Sequence, residues 1–201
     1  MKEFGAFPFF ALLSRMKFIS RWALMRNAQP ETLSEHSLET AVLAHCLATI
    51  RNVRFGGGVS PERAALLALF HDAPEVLTGD LPTPVKYHSE QLRSAYRQVE
   101  ESAADLLLAL LPEDFRAHYA PLLSPAREDR ALWCLVKAAD KLSALIKCIE
   151  EQKAGNREFC KAQESTHAAL LAMELPEVLV FLDEFLPAFE EPLDGLLDIR
   201  Q

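Results

Sequence analysis

Apolar residues recur at helical spacing along almost the whole chain, the alternating Val, Ile and Thr runs that mark strands are nearly absent, and glycine is scarce, at 7 of 201 residues. These features confine the fold to the all-α class. Half of the residues are hydrophobic and a quarter charged, enough for one sizeable core, so residues 1–201 read as a single domain without repeat or linker. Cys46, Cys134, Cys148 and Cys160 lie far apart with no Cys-x-x-Cys spacing, and are expected as reduced core residues. The apolar segment 4–13 has the look of a signal-peptide core, but Pro8 interrupts it, Arg15 follows and no small-x-small cleavage site appears. No apolar stretch approaches the roughly 18 residues of a membrane helix, so a cytoplasmic protein without a membrane partner is expected.

A net charge of -8 argues against a nucleic acid polymer as partner, because such binding depends on many Lys and Arg contacts to phosphate. Residues 1–30 nevertheless carry Lys2, Arg15, Lys17, Arg21 and Arg26 against Glu3 alone, a local excess suited to a single phosphate or to a solvated basic face.

Capping signals divide the chain into helices. Ser34 can cap a helix that runs to Gly56-Gly57-Gly58, and Ser60-Pro61-Glu62 opens the next. Pro74 should end that second helix near His71, with Asp72 capping a short new turn. Ser89 starts a long amphipathic helix to about Leu111, stopped by Pro112, and a shorter one fills 113–123. Ser124-Pro125 opens a further long helix ending at Gly155-Asn156; two more, at about 157–174 and 177–186, precede an acidic tail.

His71-Asp72 closes the apolar run Ala64–Phe70. An imidazole and a carboxylate beside an apolar helix face cost several kcal/mol if desolvated and unpaired, so a compensating group is expected. Two more polar residues sit in mostly apolar helices: His36 in Ser34-Glu-His-Ser37, and Asp140 in Lys137-Ala-Ala-Asp-Lys-Leu142. Two imidazoles and two carboxylates without thiolate suit a mid-row divalent ion (Mn, Co, Fe, Ni or Zn) with positions left for water and substrate. Taken singly, each has a simpler explanation: a histidine satisfied by packing and one hydrogen bond, an aspartate paired with Lys137 or Lys141.

The ordered set, a His, then His-Asp 35 residues on, then an Asp some 70 residues later, each in its own helix, resembles the signature of the HD phosphohydrolase superfamily. Arg21-Trp-Ala-Leu-Met-Arg-Asn27, Ser34-Glu-His-Ser37 and the segment His71-Asp-Ala-Pro-Glu-Val-Leu-Thr-Gly-Asp-Leu-Pro-Thr-Pro-Val-Lys86 resemble the bacterial HD-domain 5'-deoxynucleotidases over essentially the whole chain. The resemblance implies a helical bundle, usually a homodimer, that hydrolyses deoxyribonucleoside 5'-monophosphates with one divalent metal ion. It implies His36, His71, Asp72 and Asp140 as metal ligands, Arg21 as the phosphate clamp, and Glu75 as proton donor to the leaving 5'-oxygen or as a water-positioning group. Asp72 would also face the substrate in catalysis. Trp22 would pack on the sugar and disfavour a ribose 2'-hydroxyl; Asp80, Leu81, Pro82 and Thr83 would form the substrate loop, with Lys86 adding charge nearby. Pro74 departs from the small residue commoner there in the family, which bears on how Glu75 is placed. His45, His88, His118 and His167 lack a partner set and read as structural or exposed. Two other readings remain open: an HD phosphohydrolase of nucleoside triphosphates or cyclic nucleotides, against which the few cations argue, and a non-catalytic helical sensor of metal or nucleotide.

Overall fold

The computed structural model describes residues 6–86, 88–124 and 129–197, apart from the Thr83 side chain, and these residues form an all-α fold. An isolated antiparallel bridge between Ser20 and Thr32 is the exception to helix and loop among them. The helices are α1 (Phe9–Leu13), α2 (Leu33–Phe55), α3 (Pro61–Phe70), α4 (Glu75–Thr78), α5 (Thr83–Lys86), α6 (Glu90–Ala109), α7 (Glu113–Leu123), α8 (Arg130–Lys153), α9 (Cys160–Leu171), α10 (Pro176–Glu184) and α11 (Leu193–Leu197). Short 3-10 segments occupy Ser14–Phe18, Arg157–Phe159 and Leu186–Glu190.

Several helix ends follow the expected chemistry. The Ser60 side chain accepts from the Arg63 N–H with Pro61 in the first turn, Ser89 accepts from the Leu92 N–H, and α8 stops where Gly155 takes φ +84°, a left-handed turn that glycine enters without strain. Other ends differ. Thr32, not Ser34, caps α2, because it forms a reciprocal capping box in which the Glu35 carboxylate also accepts from the Thr32 N–H. The last long helix opens at Arg130 rather than at Ser124-Pro125; Pro125 lies outside the described residues, as do Lys2, Glu3 and Phe4. Asp72 does not cap α4 with its side chain, which is drawn instead toward two histidines. The tail expected to be merely acidic contains the 3-10 turn Leu186–Glu190 and α11.

The main core joins α2, α3, α8 and α10 through Leu43, Leu47, Leu67, Leu135, Leu142 and Phe181, all buried. Alanines 44 and 48 of α2, 64 and 68 of α3, and 138 and 139 of α8 share that core; their short side chains let these helices pack closely. A second core forms around Phe9, Ala73, Leu107 and Leu111. Phe9 is fully buried and stands edge-on to Tyr119, ring centroids 5.3 Å apart, and burial of such a ring is worth roughly 1.5–3 kcal/mol. The apolar N-terminal segment therefore packs behind Ala73. Of the four cysteines, all free, only Cys148 is buried; Cys134 is exposed and the other two are half-buried, which corrects the expectation of four core residues.

The segment between Ile19 and Thr32 has little helix of its own and is fastened from α8. Glu151, 1% exposed, accepts the backbone N–H groups of Ala28 (2.7 Å) and Gln29 (3.0 Å) and the side-chain amide of Asn156 (2.7 Å). It also pairs with buried Lys147, which donates in turn to the Gln29 carbonyl. Burial alone would raise the Glu151 pKa, but the Lys147 and backbone donors outweigh it and hold the carboxyl down to about 2. The folded state thus binds this proton more weakly than the unfolded chain does. The stabilisation is complete above the ordinary pKa of 4.5 and is lost as pH falls toward 2. Glu151→Gln strands Lys147 in the interior and is expected to cost about 3 kcal/mol at neutral pH. Thermal melts should show the deficit shrinking as the buffer is made more acid below pH 4.5; a pH-independent deficit would contradict the assignment.

Candidate active site

α2, α3 and α8 bring His36, His71-Asp72 and Asp140 together, although they are far apart in sequence. His36 lies in the first turn of α2 and is fully buried. α3 ends at Phe70, and the turn that follows carries His71 and Asp72. Asp140 comes from the middle of α8. His36 Nε2 lies 3.2 Å from Asp140 Oδ1 and 3.5 Å from Asp72 Oδ2, and His71 Nε2 lies 3.0 Å from Asp72 Oδ2. One donor atom each from His36, His71 and Asp72 falls within 4.8 Å of the others, a grouping able to hold a metal ion.

Hydrogen bonds on the far side of each ring determine what faces the cluster. His71 Nδ1 is 2.6 Å from the Ala68 carbonyl. That carbonyl can only accept, so Nδ1 carries the proton. His71 Nε2 is buried without a hydrogen-bond partner although it lies 3.0 Å from Asp72 Oδ2, and a buried ring nitrogen and carboxylate this close call for a shared cation. His36 Nδ1 is 2.9 Å from Ser143 Oγ, whose hydroxyl donates to Glu39 Oε2 at 2.5 Å. Ser143 must therefore accept from His36 Nδ1–H, leaving His36 Nε2 turned toward the aspartates.

The electrostatics follow from this crowding. Burial and Arg21 push the His36 pKa down, but hydrogen bonding to Asp140 and Asp72 prevails and lifts it to about 9. Burial would raise both aspartates, yet the histidines hold Asp140 at about 2 and Asp72 well below the usual carboxylate range. Glu75 goes the other way. It is 6% exposed, its Oε2 has no partner, and burial, then Asp72, then Asp80 drive its pKa to about 10. Pro74 does not turn it away: Glu75 N–H donates to the Asp72 carbonyl at 2.9 Å and α4 begins with Glu75 facing inward.

Arg21 and Trp22 arrive on the segment fastened by Glu151. Arg21 Nη1 donates to Glu31 Oε1 at 3.1 Å, while its Nε is buried without a partner. Its pKa is raised: burial opposes the charge, but Glu31, Asp140, Asp72 and Asp80 together outweigh that loss. Of the basic residues near the N-terminus, Arg15, Lys17 and Arg26 are exposed. Asp80 follows Gly79, and burial raises its pKa, with Arg21 opposing. Leu81 and Pro82 are half-buried, and the Pro82 carbonyl accepts the Val85 and Lys86 N–H groups at the start of α5. The Thr83 side chain lies outside the described residues. Lys86 donates to Glu100 at 2.7 Å. His45, His88, His118 and His167 are all exposed.

Sequence reasoning missed Glu31, Glu39, Ser143, Lys147 and Glu151. Glu39 follows His36 by three residues and Ser143 follows Asp140 by three, spacings that place each pair on one helix face. Glu31 has no comparable local signal.

A helical bundle with this donor set at the meeting of three helices defines an HD-type phosphohydrolase. The fold is similar to that of an HD-domain phosphohydrolase from Listeria innocua, with TM-score 0.79 and 27% identity, over 90% of this chain and 87% of that one. At the level of sequence, the family described as 5'-deoxynucleotidase YfbR-like matches residues 8–189. The chain is 48% identical over 188 residues to the 5'-deoxynucleotidase of Erwinia tasmaniensis, covering 94% of this chain and 95% of the relative. It is 49% identical over 188 residues to the 5'-deoxynucleotidase YfbR of Escherichia coli, covering 94% of each. The chain belongs to the YfbR-like 5'-deoxynucleotidase family.

Ser143→Ala removes the acceptor of a buried N–H and should lower stability by about 1–3 kcal/mol. Thermal or denaturant unfolding measures this, and an unchanged midpoint would mean that Ser143 does not hold His36.

Proposed function

We infer that this protein hydrolyses deoxyribonucleoside 5'-monophosphates to deoxynucleoside and phosphate, using a divalent metal ion held by His36, His71, Asp72 and Asp140. The observation that carries the reading is that His36 Nε2 faces both aspartates while His71 Nε2, buried and unpartnered, faces Asp72. A divalent ion bound there supplies charge neutralisation at the phosphoryl group and acidifies water for attack on phosphorus.

The other roles belong to the chain's own side chains. Arg21, with Nε unpaired and its charge reinforced by four carboxylates, receives phosphoryl oxygens and offsets the charge that builds on them. As water adds to phosphorus, the bond to the 5'-oxygen breaks, and that oxygen needs a proton. Glu75 still carries one at neutral pH, since its pKa stands at about 10, and is the group proposed to give it up. Trp22 forms the wall beside the sugar, leaving a 2'-hydroxyl without a hydrogen-bond partner. Asp80, Leu81, Pro82 and Thr83 form the loop opposite. Glu100 engages the Lys86 ammonium, which leaves Arg21 as the cation assigned to phosphate and favours a single phosphate over a triphosphate. Homodimerisation, implied by the family resemblance, and a cytoplasmic location, expected from the sequence, complete the proposed reading. No helix among the described residues is long and apolar enough to cross a membrane.

Phosphate release from dAMP and AMP, by chelator-stripped protein resupplied with Co, Mn, Zn or Mg, tests the reading. Metal-dependent release favouring dAMP is expected. Asp72→Ala should lose both metal and activity while the far-ultraviolet helical signal persists; nucleotide binding without release under any metal would point instead to a sensor. Glu75→Gln should retain metal and lower kcat by about 10²–10⁴-fold, and a kcat near that of the parent would remove Glu75 as proton donor.

A further inference from the structure

The two oxygens of one carboxylate, Glu31, hold the two side chains assigned above to phosphate and sugar. Oε1 accepts from Arg21 Nη1 at 3.1 Å and Oε2 accepts from the Trp22 indole Nε1–H at 2.8 Å. The Glu31 side chain is 11% exposed, so water competes weakly for either bond. Backbone pairing sets its own position: Arg21 N–H donates to the Glu31 carbonyl at 3.0 Å and Leu33 N–H to the Ile19 carbonyl at 2.9 Å, on either side of the Ser20–Thr32 bridge.

Trp22 needs such a hold. Its φ of +57° lies in the left-handed region, which costs a bulky residue about 1–2 kcal/mol. The Met25 N–H donates to the Trp22 carbonyl at 2.9 Å, and the indole lies against the Phe159 ring with centroids 5.3 Å apart. These contacts fix the backbone and one face of the ring. The rotation of the indole about its side-chain bonds is fixed by the hydrogen bond to Glu31.

We propose that Glu31 is a positioning residue that sets discrimination between deoxyribose and ribose by locking the Trp22 indole while aligning Arg21 for the phosphate. The proposal rests on the deoxynucleotidase reading above. It makes the two oxygens separable: one governs the sugar, the other the phosphate.

Glu31→Gln keeps the shape but cannot accept from both donors at full strength. The ratio of kcat/KM for dAMP over AMP should fall about tenfold, the worth of one charge-assisted hydrogen bond, and KM for dAMP should rise through the Arg21 contact. Trp22→Phe keeps an aromatic wall but removes the N–H, and should lower the same ratio by itself. In the Trp22→Phe background, Glu31→Gln should leave the ratio unchanged while the rise in KM persists. Metal content should be unaltered throughout. In a Trp133→Phe background Trp22 is the sole indole of the chain, and its fluorescence emission should shift on Glu31→Gln.

A wild-type ratio retained in Glu31→Gln, additive losses in the double variant, or an unshifted emission overturns the proposal. Loss of metal in Glu31→Gln also overturns it, placing Glu31 with His36, whose Nδ1 is 3.9 Å from Oε1. If Glu31→Gln does not fold, Trp22→Phe decides from the other partner, and an unchanged ratio there rejects the lock. If the parent protein itself fails to distinguish dAMP from AMP, the specificity reading falls first and the role of Glu31 with it.

Discussion

Burying the His36 imidazole at the first turn of α2 is the constraint to which the surrounding structure answers. A fully buried ring with two polar nitrogens must have both satisfied. On one side the Ser143 hydroxyl accepts from Nδ1–H and donates in turn to Glu39; on the other, Asp72 and Asp140 face Nε2. The partners reach it because α2, α3 and α8 pack together on a shared core that includes Ala44, Ala48, Ala64, Ala68, Ala138 and Ala139. The centre is negatively biased, since Asp72, Glu75, Asp80 and Asp140 all bear on it. That crowding explains why one acid, Glu75, keeps its proton while the histidine-paired aspartates do not.

The helical class and most helix ends were readable because they depend on local chemistry: periodicity, an N-cap serine, a proline in the first turn, a glycine past the last. The four polar residues at the centre were also readable, because each interrupts an otherwise apolar pattern. Thr32 was missed in favour of Ser34, two residues away, although Thr32 and Glu35 form the capping-box pattern. Asp72 was read as a cap because capping is its commonest local use; the histidines that claim its side chain come from tertiary packing.

A less obvious pattern was present on α8. Asp140, Ser143, Lys147 and Glu151 fall three to four residues apart and make a polar stripe along one helix face, while Leu142, Leu145, Ile146 and Ile149 supply the core. Polar residues at that spacing ordinarily mark a solvated face, and local rules give no reason to bury them. Here Ser143, Lys147 and Glu151 are buried because each meets a partner from a distant segment: the α2 histidine, the Gln29 carbonyl and the loop amides. Glu31 was harder still, since both of its side-chain partners lie across a loop whose path no short motif announces.

That stripe makes α8 a rigid gauge between two parts of the molecule. Asp140 marks the end that faces His36 and Glu151 the fastening point of the segment bearing Arg21 and Trp22, eleven residues apart, or about 16 Å of helix. Inserting or deleting one residue between them would swing Glu151 by about 100° around the axis, away from the amides of Ala28 and Gln29. The separation between Asp140 and the segment bearing Arg21 and Trp22 is therefore quantised by helical turns. The length of α8 thus sets the distance and the orientation of that segment together, and neither can change without the other.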